Sequence, residues 1–140
     1  MDFLQEFEKV MENTATIALA TSQDNAPNVR IVTFCYDAQN KGVVYFSTFK
    51  NSPKTMEFLQ NDKVAFTTVP AAPGGVVRVA DATIRKSGLT VEDIKAGIIK
   101  KYPGFEATAK NVGHMFDVYE IHFNEAVVTA DPSNVGRVTL

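Results

Sequence analysis

One arginine interrupts an apolar run. In NVRIVTF, residues 28 to 34, Arg30 is the single charged side chain. Strand alternation puts Asn28, Arg30, Val32 and Phe34 on one face and Val29, Ile31 and Thr33 on the other. A guanidinium left unpaired among apolar neighbours is costly. Its planar fork suits a phosphate or a carboxylate, because it can bond two oxygens at once. The same pattern would also fit a solvated arginine on an exposed strand face, and both readings stand on the sequence.

A second group follows in YFSTFKNSPK, Tyr45 to Lys54. Ser47 and Thr48 end a strand signal, and a turn leads to Ser52 and Pro53. Ser52 is suited to an N-cap, and proline is tolerated where the first helical residue needs no amide donor. Lys54 then falls in the first helical turn, where its charge opposes the positive end of the helix dipole. A bound anion would account for that placement, and so would an ordinary cap with a surface lysine. Taken together, Arg30, Ser47, Thr48, Ser52 and Lys54 form a candidate phosphate cradle.

Other chemistry-bearing residues are sparse. His114 follows Gly113 and could stand at a pocket mouth, as a proton shuttle, an axial ligand or a strand-end surface residue. His122 alternates away from Ile121 and Phe123 and is expected to face solvent. Arg78 could reach a cofactor across an interface or simply be solvated. Cys35 has no activating cation in its local sequence and is expected to fill core space. Glu120 and Asp117 show no spacing suited to paired-carboxylate hydrolysis. No catalytic residue is assigned, and no metal site is expected from two histidines and one cysteine.

The elements that would position these groups are short. Asp2 to Glu12 reads as an amphipathic helix with Phe3, Leu4, Phe7, Val10 and Met11 on one face. Thr14 to Thr21, Asn28 to Tyr36 and Val43 to Phe49 read as three strands of an antiparallel meander. After the helix starting at Ser52, with Met56, Leu59 and Phe58 inward, come strands at Lys63 to Pro70 and Val76 to Arg85. Thr90 and Asp93 form a capping-box pattern for a helix reaching about Lys101, and a short helix is expected before Gly113. The tail returns to strand at His114 to Phe123, Glu125 to Thr129 and Gly136 to Leu140. Six or seven strands with helices between strand groups predict a mainly β fold: an antiparallel barrel with peripheral helices, in one domain spanning 1–140.

The net charge of −2 carries no basic stripe, so nucleic-acid binding lacks its usual electrostatic footprint. No apolar run reaches the roughly 18 residues a membrane helix needs. The acidic opening MDFLQEFEKV is unlike a signal peptide, which places the expected site of action in the cytoplasm. Neither a dinucleotide fingerprint nor a phosphate loop is present.

The order PNVRIVTF, a short turn, GVVYFSTFKNSPK, a helix and then KVAFTTV resembles the pyridoxamine 5'-phosphate oxidase-like FMN-binding split-barrel family. The resemblance runs from about Thr14 to Ala82 and more loosely through the tail. It implies that Arg30 and Lys54 bind the FMN phosphate, with help from Ser47, Thr48 and Ser52. It also implies that the backbone of Ile31, Val32 and Thr33 runs beside the isoalloxazine ring, and that two chains form a homodimer with flavin at the interface. The vitamin B6 oxidases carry a basic residue where this chain has Cys35, and often another where it has Pro53. Their C-terminal arginine-and-histidine motif is absent from GRVTL. The implied activity is therefore a flavin-dependent oxidoreductase on an unidentified small molecule rather than oxidation of pyridoxamine phosphate. The alternatives are a flavin- or haem-binding module without turnover and a deazaflavin-dependent reductase.

Overall fold

The computed structural model describes residues 1–140. The chain opens with helix α1 (Phe3–Asn13) and strands β1 (Thr16–Gln23), β2 (Ala26–Thr33), β3 (Cys35–Tyr36) and β4 (Val43–Phe49). Helix α2 (Pro53–Gln60) precedes β5 (Lys63–Val69) and β6 (Val76–Lys86). Helices α3 (Val91–Lys101) and α4 (Phe105–Val112) lead through a 3-10 turn to β7 (Phe116–Phe123), β8 (Glu125–Asp131) and β9 (Asn134–Thr139). No helix is long and apolar enough to cross a membrane.

All pairings are antiparallel, in the order β2-β1-β5-β6-β7-β4-β3, with β8 branching from β6 and β9 from β8. Long strand β6 makes the branch. It pairs with β5 on one side, while β7 takes its C-terminal half and β8 its start. The mainly β, split-barrel expectation holds, but with nine strands instead of six or seven. The expected strand Asn28 to Tyr36 is divided at Phe34 into β2 and β3: the Phe34 amide still donates to the Ala15 carbonyl at 3.2 Å, in line with the β1-β2 register, whereas Cys35 and Tyr36 pair with β4.

The expected meander holds only in part, since the second run joins the third through Cys35 and Tyr36 alone. β1 and β2 form a hairpin through Asp24 and Asn25, whose φ values of 51° and 64° suit the primed turn of a two-residue loop. β4, however, pairs with β7 and β3 and has no ladder with β2. The break at Phe34 turns the chain out of the first hairpin, and the apolar register of β4 is satisfied across the barrel by β7. His114 likewise lies in the 3-10 turn Gly113–Met115 before β7 rather than inside a strand.

The core holds Phe7, Phe34, Phe46, Phe66 and Phe123 with aliphatic residues from every large strand. Helix α1 plugs one opening. Asp2 caps it by accepting from the Gln5 amide, and Phe7, Val10 and Met11 are buried. Leu4, expected on the same face, is 39% exposed. Phe3 lies flat on Gly136 of β9, where a Cβ would come within 2.3 Å of its ring. A second, smaller apolar cluster joins α3 and α4 to Cys35 and Val118 on the outside of the β3-β4-β7 edge.

Helix α2 reverses part of its expected inner face. Thr55 and Phe58 are buried, whereas Met56 and Leu59 are exposed at 53% and 79%. Both pairs share i, i+3 spacing, and the Phe58 ring fixes the choice by packing edge-on against Phe46 and Tyr119.

Candidate functional site

Arg30 projects from β2 on the Val32 face, as alternation required, and its side chain is 17% exposed. The free-arginine reading ends here, because the guanidinium has protein partners. Its Nη2 lies 2.7 Å from Glu57 Oε2 on α2, and its Nη1 donates to Thr21 Oγ1 of β1 at 2.9 Å. The Thr21 hydroxyl donates in turn to Glu57 Oε2, and Asn28 Nδ2 donates to Glu57 Oε1 at 3.1 Å. The hydrogen bond from Thr21 and then that from Arg30 push the Glu57 carboxyl down to about 2. Of the two anions that suit such an arginine, the chain itself supplies the carboxylate.

Lys54 lies one helical turn before Glu57. It is half-buried and has neither an ion pair nor a hydrogen bond. Burial first, and the neighbouring Arg30 charge second, lower its pKa from the ordinary lysine value. A desolvated ammonium beside a guanidinium and in the first turn of a helix is electrostatically unfavourable three times over. No ion pair or hydrogen bond to Lys54 offsets that cost.

The hydroxyls divide. Ser52 occupies the N-cap position of α2, but its side chain makes no capping bond and its Oγ rests 3.4 Å from Thr48 Oγ1. Thr48 is buried on the core side of β4, so Ser52 and Thr48 adjoin the start of α2 together. Ser47 lies on the opposite face of β4, with Tyr45 and Phe49. The structure therefore brings Arg30, Thr48, Ser52 and Lys54 to one end of the barrel and turns Ser47 away from that group.

Ile31, Val32 and Thr33 form the last residues of β2, which pairs only with β1. β3 covers β4 only at Val44 and Tyr45, leaving that edge of β4 unpaired from Phe46 onward. β2 and β4 approach one another without joining. The split in the barrel thus lies between two open backbone edges, with α2 at its end. Val32 faces the core, and Ile31 is 58% exposed on the outside.

Residues 10–135 match the family described as pyridoxamine 5'-phosphate oxidase-like. The chain belongs to that family. Solved structures with the same fold share little sequence with it. A protein related to general stress protein 26 from Clostridium acetobutylicum is 13% identical with a TM-score of 0.74, covering 99% of this chain and 94% of its own. A FAD-binding protein from Mesorhizobium loti is 15% identical with a TM-score of 0.63, covering 98% and 94%. A heme binding protein from Mycobacterium smegmatis is 11% identical with a TM-score of 0.73, covering 96% of this chain but 56% of that one. No curated protein matches the sequence significantly.

Within this family member, the other candidates lie apart from the Arg30 group. His114 is exposed beside Thr90, Glu92 and Lys110. His122, expected to face solvent, is half-buried with Nε2 2.7 Å from Glu120 Oε1. Cys35 is buried, and burial pushes its thiol up to about 11, away from nucleophilic use. Arg78 is exposed on the outer face of β6, bordering an apolar depression with Ala18, Ala20, Val29, Ala65 and Ala80.

Sequence reasoning missed Glu57 and Thr21. A signal for Glu57 existed, because Lys54 and Glu57 are three apart on one helix and so share a face. Thr21 carried a weaker one. The hairpin register sets Thr21 opposite Asn28 and Leu19 opposite Arg30, which makes Thr21 and Arg30 diagonal neighbours on one face. That register depends on the Asp24-Asn25 turn being two residues long.

Proposed function

We infer that this protein is an FMN-binding flavoprotein, acting as an oxidoreductase on a small molecule. The observation that carries the reading is Lys54, a half-buried cation without a partner, set beside Arg30 at the start of α2. A terminal phosphate there would pair with Lys54, take Arg30 over from Glu57 and accept from the Ser52 hydroxyl, giving the desolvated ammonium the counter-charge it lacks. The open edge of β2 at Ile31 to Thr33 is available to hydrogen-bond the polar rim of a flat ring, as a flavin requires. Flavin, when bound, supplies the hydride chemistry. The residues of this chain hold the phosphate, fix the ring against a backbone edge and exclude water from the split.

The second element of the reading is a homodimer with the flavin at its interface. The outer face of β2, β1, β5 and β6 is built from Ala18, Ala20, Val29, Ile31, Ala65 and Ala80, with Val29 and Ile31 62% and 58% exposed. Small apolar residues over four adjacent strands form a flat surface suited to a second copy. Such a copy would cover the exposed side of Ile31 next to the ring position.

The visible absorption spectrum of the purified protein, before and after addition of FMN and removal of excess, tests the cofactor. Retained blue-region flavin bands at about one FMN per chain support the reading. A sharp Soret band after exposure to haem with no retention of FMN overturns it in favour of haem, and retention of a deazaflavin alone replaces FMN by that cofactor. Oxidation of reduced nicotinamide by the flavin-loaded protein then separates an enzyme from a carrier. Sedimentation tests the dimer: a strict monomer with full flavin occupancy removes the shared interface.

A further inference from the structure

The end of the site assigned to phosphate holds a negative charge that a simple phosphate receptor would omit. Glu57 Oε2 sits 2.7 Å from Arg30 Nη2 and also accepts from Thr21, while its Oε1 takes the Asn28 amide at 3.1 Å. The carboxylate at Nη2 and the Thr21 hydroxyl at Nη1 thus occupy the two arms of the donor fork through which Arg30 would meet a phosphate. Lys54, three residues earlier on α2, is left as the cation without a partner.

We propose that Glu57 determines the ligand specificity of this subsite: it is an internal anion that occupies Arg30 and must be exchanged for an incoming phosphate monoester. This rests on the flavin-phosphate reading above. The exchange is selective on charge. A singly charged ligand that replaces one carboxylate by another gains nothing at Arg30, whereas a phosphate monoester carries nearly two charges and three acceptor oxygens near neutral pH. It can engage Arg30 and Lys54 together, which Glu57 in its present position does not do. Thr21 and Asn28, both donors to Glu57 from the β1-β2 hairpin, hold the competitor in place and set how readily it leaves. Glu57 is therefore a positioning residue for Arg30 and a competitor for the ligand at once.

The sign of one substitution separates this role from a merely structural one. Glu57→Gln keeps the shape and much of the hydrogen bonding but removes the competing charge. Affinity for FMN is expected to rise roughly tenfold or more, while affinity for riboflavin, which lacks the phosphate, stays at the parent value. Glu57→Asp, with its charge kept but its reach shortened, should fall between the two and serves if the glutamine variant does not fold. Inorganic phosphate is titrated into all three proteins by calorimetry in parallel. An equal or weaker FMN and phosphate affinity in Glu57→Gln overturns the proposal and leaves Glu57 as a clamp between α2 and the hairpin. If no protein binds any flavin, the flavin reading fails, and the phosphate titrations alone still decide the role of Glu57: tighter phosphate in Glu57→Gln supports it, and equal phosphate overturns it.

Discussion

Lys101 and Lys54 are both half-buried lysines, and both have pKa values lowered first by burial, but their surroundings differ in kind. Lys101 stands in the last turn of α3, where a cation complements the helix dipole. Its Nζ donates to the Met11 carbonyl at 2.8 Å and lies 3.6 Å from the centre of the Phe34 ring. It joins α3 to the end of α1 with groups that are fixed in the fold. Lys54 stands in the first turn of α2, against the dipole, next to Arg30 and without an acceptor. A buried cation that donates to a fixed carbonyl and rests on a ring of the same chain serves the structure. One held in place without an acceptor is the observation on which the proposed phosphate site rests.

Arg30→Ala should give the largest effect, because it touches both functions. It removes the phosphate fork, costing roughly 1.5–3 kcal/mol of FMN binding, and it leaves Glu57 without its cation, costing about 1–3 kcal/mol of stability. Flavin fluorescence titration and urea unfolding read the two losses separately, and an unaltered FMN affinity would remove Arg30 from the site.

Lys54→Met and Lys101→Met should then split these effects. The Lys54 variant is expected to lose about 1.5–3 kcal/mol of FMN binding with stability unchanged or slightly increased, since it removes an uncompensated charge. The Lys101 variant should bind FMN normally while losing about 1 kcal/mol of stability with the Met11 bond. A stability loss at Lys54 as large as that at Lys101 would collapse the distinction between them.

The smallest effects are pH profiles. Lys101 is held down to about 8 in the folded chain against 10.5 when unfolded, with burial as the main cause. Between those values the unfolded chain binds a proton that the folded chain does not, so stability should rise with pH across the window. In Lys101→Met that rise should vanish from the urea midpoints. Glu57 has the opposite form: its folded value of about 2 lies below the ordinary 4.5. The stability it contributes is complete above 4.5 and is lost as pH falls toward 2, a slope that Glu57→Gln should flatten.

How far the sequence could be read depended on the range of the interaction. The capping box at Thr90 and Asp93 is present as expected, with the Thr90 amide donating to Asp93 at 2.7 Å. Strand β4 has the limits its residues suggest, and Pro53 opens α2. All three features lie within a few residues of chain. The inner face of α2 could not be read that way, because Thr55/Phe58 and Met56/Leu59 offer the same spacing. The aromatic pocket formed by Phe46 and Tyr119 decides between them. The partnering of β4 was equally hidden, since β2, β3 and β7 all offer apolar strands.

The sequence by itself determined the mainly antiparallel β character, the helix starts, the face of β2 on which Arg30 lies and the family to which the chain belongs. These follow from backbone periodicity and from residue types a few positions apart. Only the tertiary structure decided that β4 pairs with β7, that the barrel is split beside α2, and that Glu57 reaches across 27 residues to Arg30. The reason is physical: a carboxylate and a guanidinium attract wherever the fold brings them together, and no local pattern records which distant partner the strand register will bring within reach.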